Sequence, residues 1–138
     1  MPVDSDDELR EILDHDTIAV VGCSTTEGKA AHEIPRYLQQ QGYRVIPVNP
    51  FADEVLGERS YDSITDVPDD VDVVDVFRPS EEVPDIVDET LERDDVAAVW
   101  LQQGIRHDGA ADRAEEAGLD VVQDRCMKVE HQRLAGGS

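Results

Sequence analysis

The sequence predicts an α/β fold, a Rossmann-like, doubly wound and mainly parallel sheet with helices on both faces. Two observations predict it. Apolar, β-branched runs alternate along the chain with helical patterns of about ten to fifteen residues, which indicates crossovers between parallel strands. Most of these runs are continuously apolar, as in strands buried on both faces. Because no linker interrupts the pattern, residues 1–138 are expected to form a single domain.

The apolar runs give the order of the strands. Five of them fit the main sheet: TIAVVG (17–22), YRVIPV (43–48), VDVVDVF (71–77), VAAVWL (96–101) and LDVVQ (119–123). Between the second and third runs, EVLGERSY (54–61) fits a short edge strand. Trp100 is the only tryptophan, and its place on an otherwise aliphatic strand predicts a position in the core.

Helical patterns occupy the segments between these strands and both ends of the chain. Residues 1–15 are an acidic lead-in with a short helix, whose apolar face carries Leu9, Ile12 and Leu13. The later helices are predicted at HEIPRYLQQQ (32–41), beginning near Ala31, and at residues 80–94, 108–118 and 126–134.

Capping residues define the ends of these helices. Ser80 and Asp108 are the predicted N-caps of their helices, because short polar side chains accept hydrogen bonds from the first turn. Gly42 and Gly118 are the predicted stops, because glycine takes the left-handed backbone conformation that ends many helices.

The charge is strongly acidic, with 33 acids against 12 bases and a net charge of -21. Such a chain is not expected to bind nucleic acid or an anionic membrane without a local basic patch. No apolar run approaches the roughly 20 residues of a membrane span, and the acidic N-terminus does not resemble a signal peptide, so a cytoplasmic location is expected. The acidity indicates a halophilic, strongly hydrated surface; an ordinary acidic protein is the alternative.

In sheets of this class, ligands bind outside the carboxyl ends of the strands, where the strand order reverses. For the order 3-2-1-4-5-6, that crevice lies between the first strand and the strand that ends at Phe77. Four loops are therefore expected around it: Gly22–Ala30, Asn49–Phe51, Phe77–Ser80 and Gln102–Arg106.

The first of these loops has the features of a phosphate-binding turn. Small residues follow Gly22, so backbone N–H groups can approach an anion, and the next helix adds its positive end. Ser24 and Thr25 offer hydroxyl groups, and Lys29, one of two lysines, offers charge. The alternative is a plain strand-to-helix turn.

Neither of two common phosphate loops fits this segment. A Walker loop has a shorter spacing between its glycines and a Ser or Thr after its lysine. Here five residues separate Gly22 from Gly28, and Ala30 follows Lys29. The dinucleotide fingerprint G-x-G-x-x-G is also absent, because Ser24 occupies the position of its second glycine.

Two other loops indicate the kind of ligand. The second strand ends in VIPVNP, without the acid that holds a ribose diol, so a nucleotide with an additional phosphate is favoured. Arg78 follows the strand on the opposite wall, where it faces an anion or forms a surface salt bridge. Gln102, Gln103 and Gly104 present a backbone that suits a pantetheine-like arm.

These segments resemble the small stand-alone CoA-binding proteins, which share a fold with the N-terminal CoA-binding domain of the succinyl-CoA synthetase alpha subunit. The resemblance covers roughly residues 12–134. It rests on VVGCSTTEGKAAHEIPRYLQQQGYRVIPVNP, VDVVDVFRPSEEVP, AVWLQQGI and DRCMKVEH, in that order.

The resemblance implies a ligand, coenzyme A or an acyl-CoA, and a position for each of its parts. It implies that the CoA phosphates contact Gly22, Ser24, Thr25 and Lys29, and that the adenosine lies near Asn49 and Pro50. It likewise implies that Phe77, Arg78 and Pro79 flank the nucleotide and that Gln102 to Gly104 line the pantetheine arm. Since the chain lacks the other domains of the ligase and its phosphorylatable histidine region, the resemblance implies a binding or regulatory module.

The two cysteines raise two catalytic alternatives. Cys126 lies beside Arg125 and Lys128, where a lowered pKa would make it the nucleophile of a thioesterase-like enzyme; the favoured alternative is a small packing residue in a docking network. Cys23 lies at the crevice, where it forms a mixed disulfide with CoA or packs under the loop. No metal-ligand spacing is present. An NAD(P)-binding redox sensor is the other alternative, because it shares this fold.

Overall fold

The computed structural model describes residues 5–135, and it confirms the predicted α/β class. Its main sheet has five strands, all parallel to their neighbours. Those strands are β1 (Thr17–Val21), β2 (Arg44–Val48), β5 (Val73–Val76), β6 (Ala98–Leu101) and β7 (Asp120–Val122). A separate antiparallel pair consists of β3 (Glu54–Val55) and β4 (Glu58–Arg59).

Five α-helices accompany the strands within residues 5–135. They are α1 (Asp6–Leu13), α2 (Ala30–Gln40), α3 (Val83–Leu91), α4 (Asp108–Glu116) and α5 (Met127–Ala135). Two short 3-10 turns, Ile64–Asp66 and Ser80–Glu82, precede and follow β5. The first four residues of the predicted acidic lead-in lie outside the described part of the chain.

The segment predicted as an edge strand forms a hairpin instead. Leu56 and Gly57 both have a positive φ, 55° and 77°, which suits a two-residue turn that folds the chain back on itself. A bridge between Val48 and Tyr61, with hydrogen bonds between Ser60 and Asn49, connects the end of this segment to the edge of β2. The order of the main sheet is therefore β2-β1-β5-β6-β7 rather than the six-stranded order, but it still reverses between β1 and β5.

Each face of the sheet has its own apolar core. On one face, Leu9 and Ile12 of α1 pack with Leu38 of α2 and with Trp100, as expected from the sequence. On the other face, Val83 and the rest of the apolar side of α3 pack with the alanines of α4. The alternation of side chains along the strands supplies both cores, since successive residues point to opposite faces.

Two predicted N-caps are wrong, and two predicted stops are confirmed. His107 caps α4 by accepting a hydrogen bond from the Ala110 N–H (3.0 Å), so Asp108 is the first helical residue. Ser80 begins a 3-10 turn, and its hydroxyl accepts from the Arg106 N–H (2.9 Å) of a neighbouring loop. Gly42 and Gly118 do end their helices, with φ values of 98° and 97°.

A single arginine fastens the segment between the hairpin and β5. The Arg93 guanidinium donates to the carbonyls of Ile64 (3.0 Å), Val67 (2.8 Å) and Asp69 (2.7 Å). It also pairs with Asp95 (2.7 Å), which lowers the pKa of that carboxyl. Because the side chain is only 12% exposed, water does not readily replace these bonds.

Replacing Arg93 by methionine is expected to lower the free energy of unfolding by about 2–4 kcal/mol, because three carbonyls and one carboxylate lose their donor. The matched control is Arg36→Met, because the Arg36 side chain is 50% exposed and lies 3.7 Å from Glu33. Denaturant unfolding in molar KCl should show little change for this control. Equal losses in the two variants would contradict the assigned role of Arg93.

Candidate functional site

A cavity of about 720 Å³ opens at the carboxyl ends of β1, β2 and β5, where the strand order reverses. This is the position that the sequence predicts for a ligand crevice. Its walls come from the three segments that follow these strands, from residues 62–64 after the hairpin, and from one side of α3. The lining residues are Val21, Gly22, Cys23, Ser24, Thr25, Lys29, Ala31, Val48, Asn49, Pro50, Phe51, Asp62, Ser63, Ile64, Phe77, Arg78, Glu82, Ile86 and Glu89.

Most of the predicted site residues meet at this cavity. Those that line it are Gly22, Ser24, Thr25, Lys29, Asn49, Pro50, Phe77 and Arg78. Pro79, Gln102 and Gly104 do not line it. The structure thus places the loops after β1, β2 and β5 together and leaves the loop after β6 apart.

Gly22 lets the loops after β1 and β5 touch. Its φ is 86°, and its N–H donates to the Val48 carbonyl (2.9 Å). A Cβ at this position would lie 2.8 Å from Cδ of Arg78 and 3.3 Å from the Phe77 carbonyl carbon. Only glycine combines this backbone conformation with so close an approach.

Part of the predicted phosphate loop is already engaged within the protein. The Ser24 N–H donates to the Ala31 carbonyl (2.9 Å), and the Ser24 hydroxyl accepts from the Thr26 N–H (3.0 Å). The N–H groups of Gly22 and Ser24 are therefore not available to an anion. The donors of this wall that can still face an anion include the Lys29 ammonium and the hydroxyl groups of Thr25 and Ser24, because the Ser24 oxygen only accepts in its bond with Thr26.

The opposite wall carries a paired arginine. Both nitrogens on one side of the Arg78 guanidinium donate to Glu82, at 3.1 Å and 2.8 Å. This pair lowers the pKa of Glu82, because the carboxylate is stabilised by the adjacent cation. Arg78 thus lines the cavity and also forms a salt bridge with Glu82. An incoming anion therefore competes with Glu82 for the guanidinium.

Asn49 ties two loops of the cavity together. Its side-chain amide donates to the Cys23 carbonyl (2.9 Å) and accepts from the Phe51 N–H (2.8 Å). Its backbone N–H donates to the Tyr61 carbonyl (2.8 Å). The Asn49 side chain therefore shapes the cavity wall with both of its polar atoms.

Sequence reasoning missed three acids that line the cavity: Asp62, Glu82 and Glu89. Asp62 follows Tyr61, whose bridge with Val48 brings this segment to the end of β2. The expectation that no carboxylate lies near that strand end is wrong, because the acid comes from a different segment. Burial and the neighbouring acids Glu92, Asp85 and Asp66 raise the pKa of Glu89.

The loop after β6 is fastened away from the cavity. The Gln102 side chain is buried, donates to Asp75 and accepts from the Met127 N–H (3.3 Å). The Gly104 N–H donates to Asp124 (2.6 Å). The Gln102 bond joins the loop to the start of α5, and the Gly104 bond joins it to the segment after β7, so both residues hold the C-terminal part of the chain in place.

Asp75 is a buried acid that sequence reasoning did not single out. It is fully buried in the centre of β5, and its Oδ2 atom has no hydrogen-bond partner. Burial raises its pKa to about 7, although hydrogen bonds from Gln102 and the Val76 backbone oppose the shift. The signal in the sequence was an acid in the middle of the apolar run VDVVDVF.

The Cys23 thiol is not suited to nucleophilic chemistry. It is fully buried under the loop, and burial together with the Asp75 charge raises its pKa to about 12. The thiol is therefore protonated at neutral pH, whereas thiol exchange requires the thiolate. Packing under the loop, the alternative considered from the sequence, describes this residue.

The charged residues around Cys126 form a docking network for α5. Arg125 and Arg133 both donate to Glu130, at 3.1 Å and 2.9 Å. The Lys128 ammonium lies 5.3 Å from the centre of the Tyr37 ring. Cys126 is half-buried against the core on the face of the sheet that α1 and α2 cover, and it does not line the cavity. The favoured interpretation of this segment as a docking network agrees with these contacts.

Within residues 5–135, no group of three or more His, Cys, Asp or Glu side chains is arranged to hold a metal ion. In the same part of the chain, no helix is long and apolar enough to span a membrane.

The parallel sheet and the cavity at its carboxyl edge define a Rossmann-like α/β domain. This cavity, called the cleft below, lies where such domains hold nucleotides. The chain belongs to the CoA binding domain family, since the sequence model of that family matches residues 16–132. The resemblance identified from the sequence is thereby confirmed.

Similar proteins include both small proteins and parts of larger enzymes. The uncharacterized protein YneT of Bacillus subtilis is 39% identical over 125 residues, which cover 90% of this chain and 92% of YneT. An ADP-forming acetate–CoA ligase II of Archaeoglobus fulgidus is 35% identical over 104 residues, 74% of this chain but 16% of the ligase. The cell-free ID.343 structure from Thermus thermophilus has 46% identity and a TM-score of 0.89, covering 95% of this chain and 99% of its own.

Replacing Gly22 by alanine is expected to destabilise the protein by about 2–4 kcal/mol, because the new Cβ adds a steric clash to the strain of a positive φ. Gly42→Ala is the control, since Gly42 has a φ of 98° and open space around it. It should lose only the backbone part, about 1–2 kcal/mol. Both free energies of unfolding are measured with denaturant. Equal losses in the two variants would show that the Arg78 side chain moves away from the new Cβ without cost, and would contradict the predicted clash.

Replacing Asp75 by asparagine is expected to change how stability depends on pH. Because the folded pKa is about 7 and the reference value is 3.8, the wild type loses stability as pH rises through this interval. Asp75→Asn lacks this loss. The free energy of unfolding of the variant minus that of the wild type should therefore rise by up to roughly 4 kcal/mol across this interval and level off above pH 7.

The control for this experiment is Asp112→Asn on the exposed surface of α4, which should show no such pH-dependent advantage. Urea unfolding of all three proteins across the interval measures the effect. A constant difference between Asp75→Asn and the wild type would contradict the assigned titration.

Proposed function

We propose that this chain binds coenzyme A or an acyl-CoA in the cavity between β1 and β5, as a binding or regulatory module. One observation carries the proposal. Lys29 and Arg78, which are distant in the sequence, line the same open cavity, and the Arg78 side chain lies against the Gly22 turn. Two cations around a glycine turn suit the phosphates of a nucleotide.

The size of the cavity and the family of the chain support this ligand. A volume of about 720 Å³ lies within the usual range of small-molecule sites and suits the nucleotide part of CoA. The family matched by residues 16–132 is a CoA binding domain, and the Archaeoglobus fulgidus relative is named as an acetate–CoA ligase. The present chain spans 16% of that ligase, so the proposal concerns binding and not ligation.

The acids of the cavity support a second candidate. Asp62 lies beside the end of β2, where a carboxylate in Rossmann-type domains accepts hydrogen bonds from ribose hydroxyl groups. This position favours a ribose without a phosphate and therefore NAD. We rank CoA first, because the family match concerns CoA and because the G-x-G-x-x-G fingerprint of NAD sites is absent.

Calorimetric titration with CoA, dephospho-CoA, NAD and NADP distinguishes these ligands. The experiment uses molar KCl, because the net charge of -21 repels anionic ligands at low salt. We expect CoA to bind most tightly and dephospho-CoA more weakly. A preference for either dinucleotide over CoA would overturn the ranking.

The two lysines provide a matched pair of variants for the same titration. Lys29→Ala should weaken CoA binding by about tenfold or more, because a cation that contacts a phosphate is lost. Lys128→Ala should leave the affinity unchanged, since that ammonium lies against Tyr37, outside the cavity. Equal effects of the two substitutions would contradict phosphate binding at Lys29.

A further inference from the structure

Phe51 is unusually exposed for a large aromatic residue. It is 95% exposed, and Val129 is the only other exposed large hydrophobic residue in the described part of the chain. The other aromatic side chains there are buried or half-buried. Full burial of such a side chain contributes about 1.5–3 kcal/mol, so the fold gives up this stabilisation at position 51.

The exposed ring lies on a rigid support. The Phe51 N–H donates to the Asn49 side chain (2.8 Å), and the same side chain donates to the Cys23 carbonyl (2.9 Å). Pro50, between them, has a restricted φ. The backbone at Phe51 is therefore held relative to the loop after β1, so a ligand that contacts the ring has only the side-chain torsions of Phe51 to order.

The position of the ring adds a flat apolar surface to a cavity with charged walls. Phe51 lines the same cavity as Lys29 and Arg78. A nucleotide whose phosphates contact these cations has one flat apolar part, its base. Bases stack on exposed aromatic rings whatever their hydrogen-bonding groups, because every base has a π-face.

We propose that the Phe51 ring stacks on the adenine base of the bound ligand and closes that end of the cavity. This inference rests on the proposed binding of CoA and assigns the residue that holds its base. Binding should accordingly depend on Phe51 only for ligands that contain adenine.

The test compares three ligands that share parts of CoA. CoA itself has base, phosphates and arm; adenosine 3′,5′-bisphosphate lacks the arm; 4′-phosphopantetheine lacks the base. Phe51→Ala should weaken the first two by about tenfold to a hundredfold and leave 4′-phosphopantetheine unchanged. Phe51→Trp should retain or strengthen binding of the adenine ligands.

Two controls make the result specific. Val129→Ala removes the other exposed apolar side chain, on α5 and outside the cavity, and should change no affinity. In Phe51→Trp, the new indole should be quenched by the adenine ligands but not by 4′-phosphopantetheine, whereas Trp100 is buried and gives the same background in the wild type. Since Phe51 is exposed, these variants are expected to fold normally.

The outcomes separate this inference from the function on which it rests. If the wild type does not bind CoA, the proposed function fails, and the assignment of Phe51 fails with it. If CoA binds the wild type and Phe51→Ala equally, or if 4′-phosphopantetheine weakens as much as CoA, the stacking role alone is wrong. Altered self-association of Phe51→Ala with unchanged affinity would assign the ring to a protein contact and also overturn the inference.

Discussion

The close contact between Gly22 and the chain at Phe77 and Arg78 is the constraint on which the cleft depends. β1 and β5 are neighbours in the sheet, and the chains that leave them must separate to form a cavity. They separate only after Gly22, whose N–H also bonds to the end of β2. The ends of three strands are thus fixed at one residue, and Asn49 adds a second connection through the Cys23 carbonyl. Lys29 and Arg78 therefore line one preformed cavity, although they come from the loops after two different strands.

The charge of the protein and the proposed charge of its ligand have the same sign, so local geometry must outweigh net charge. Screening makes this possible, because the Debye length falls from about 10 Å at ~0.1 M salt to about 3 Å at ~1 M. Hydrogen-bonded contacts in the cleft, such as the 3.1 Å and 2.8 Å bonds of Arg78, are about as short as the smaller of these lengths, so they persist when long-range repulsion is screened. The Arg78–Glu82 pair fits this regime, since it holds the guanidinium in place at the cavity wall. Before a ligand binds, Glu82 orients the Arg78 guanidinium toward the position of an anion. A phosphate that displaces Glu82 therefore finds both nitrogen donors already in place.

The sequence predicts the fold well where a physical rule depends on local pattern or topology alone. Continuous apolar runs identify all five main strands, and the carboxyl-end rule locates the cavity without any knowledge of side-chain contacts. Gln102 shows where this reasoning ends. A glutamine after a strand has the same local pattern whether it faces a ligand or bonds to a buried acid, and only the presence of Asp75 on the neighbouring strand decides. Asp62 is a similar case, because the hairpin turn at Leu56 and Gly57 determines where that segment returns.

The polar groups beneath the cleft support the structure of the domain. Cys23 and Asp75 are both fully buried, and their pKa values rise for the same reason, the loss of water around the charged form. An ionised Asp75 raises the pKa of the Cys23 thiol further, because a thiolate beside it would be a second negative charge. The carboxyl instead accepts from Gln102, which in turn accepts from the first residue of α5 and so positions that helix. The groups that line the cleft include hydroxyl groups, cations, acids and the aromatic rings of Phe51 and Phe77. This set of groups fits the proposed binding of a nucleotide.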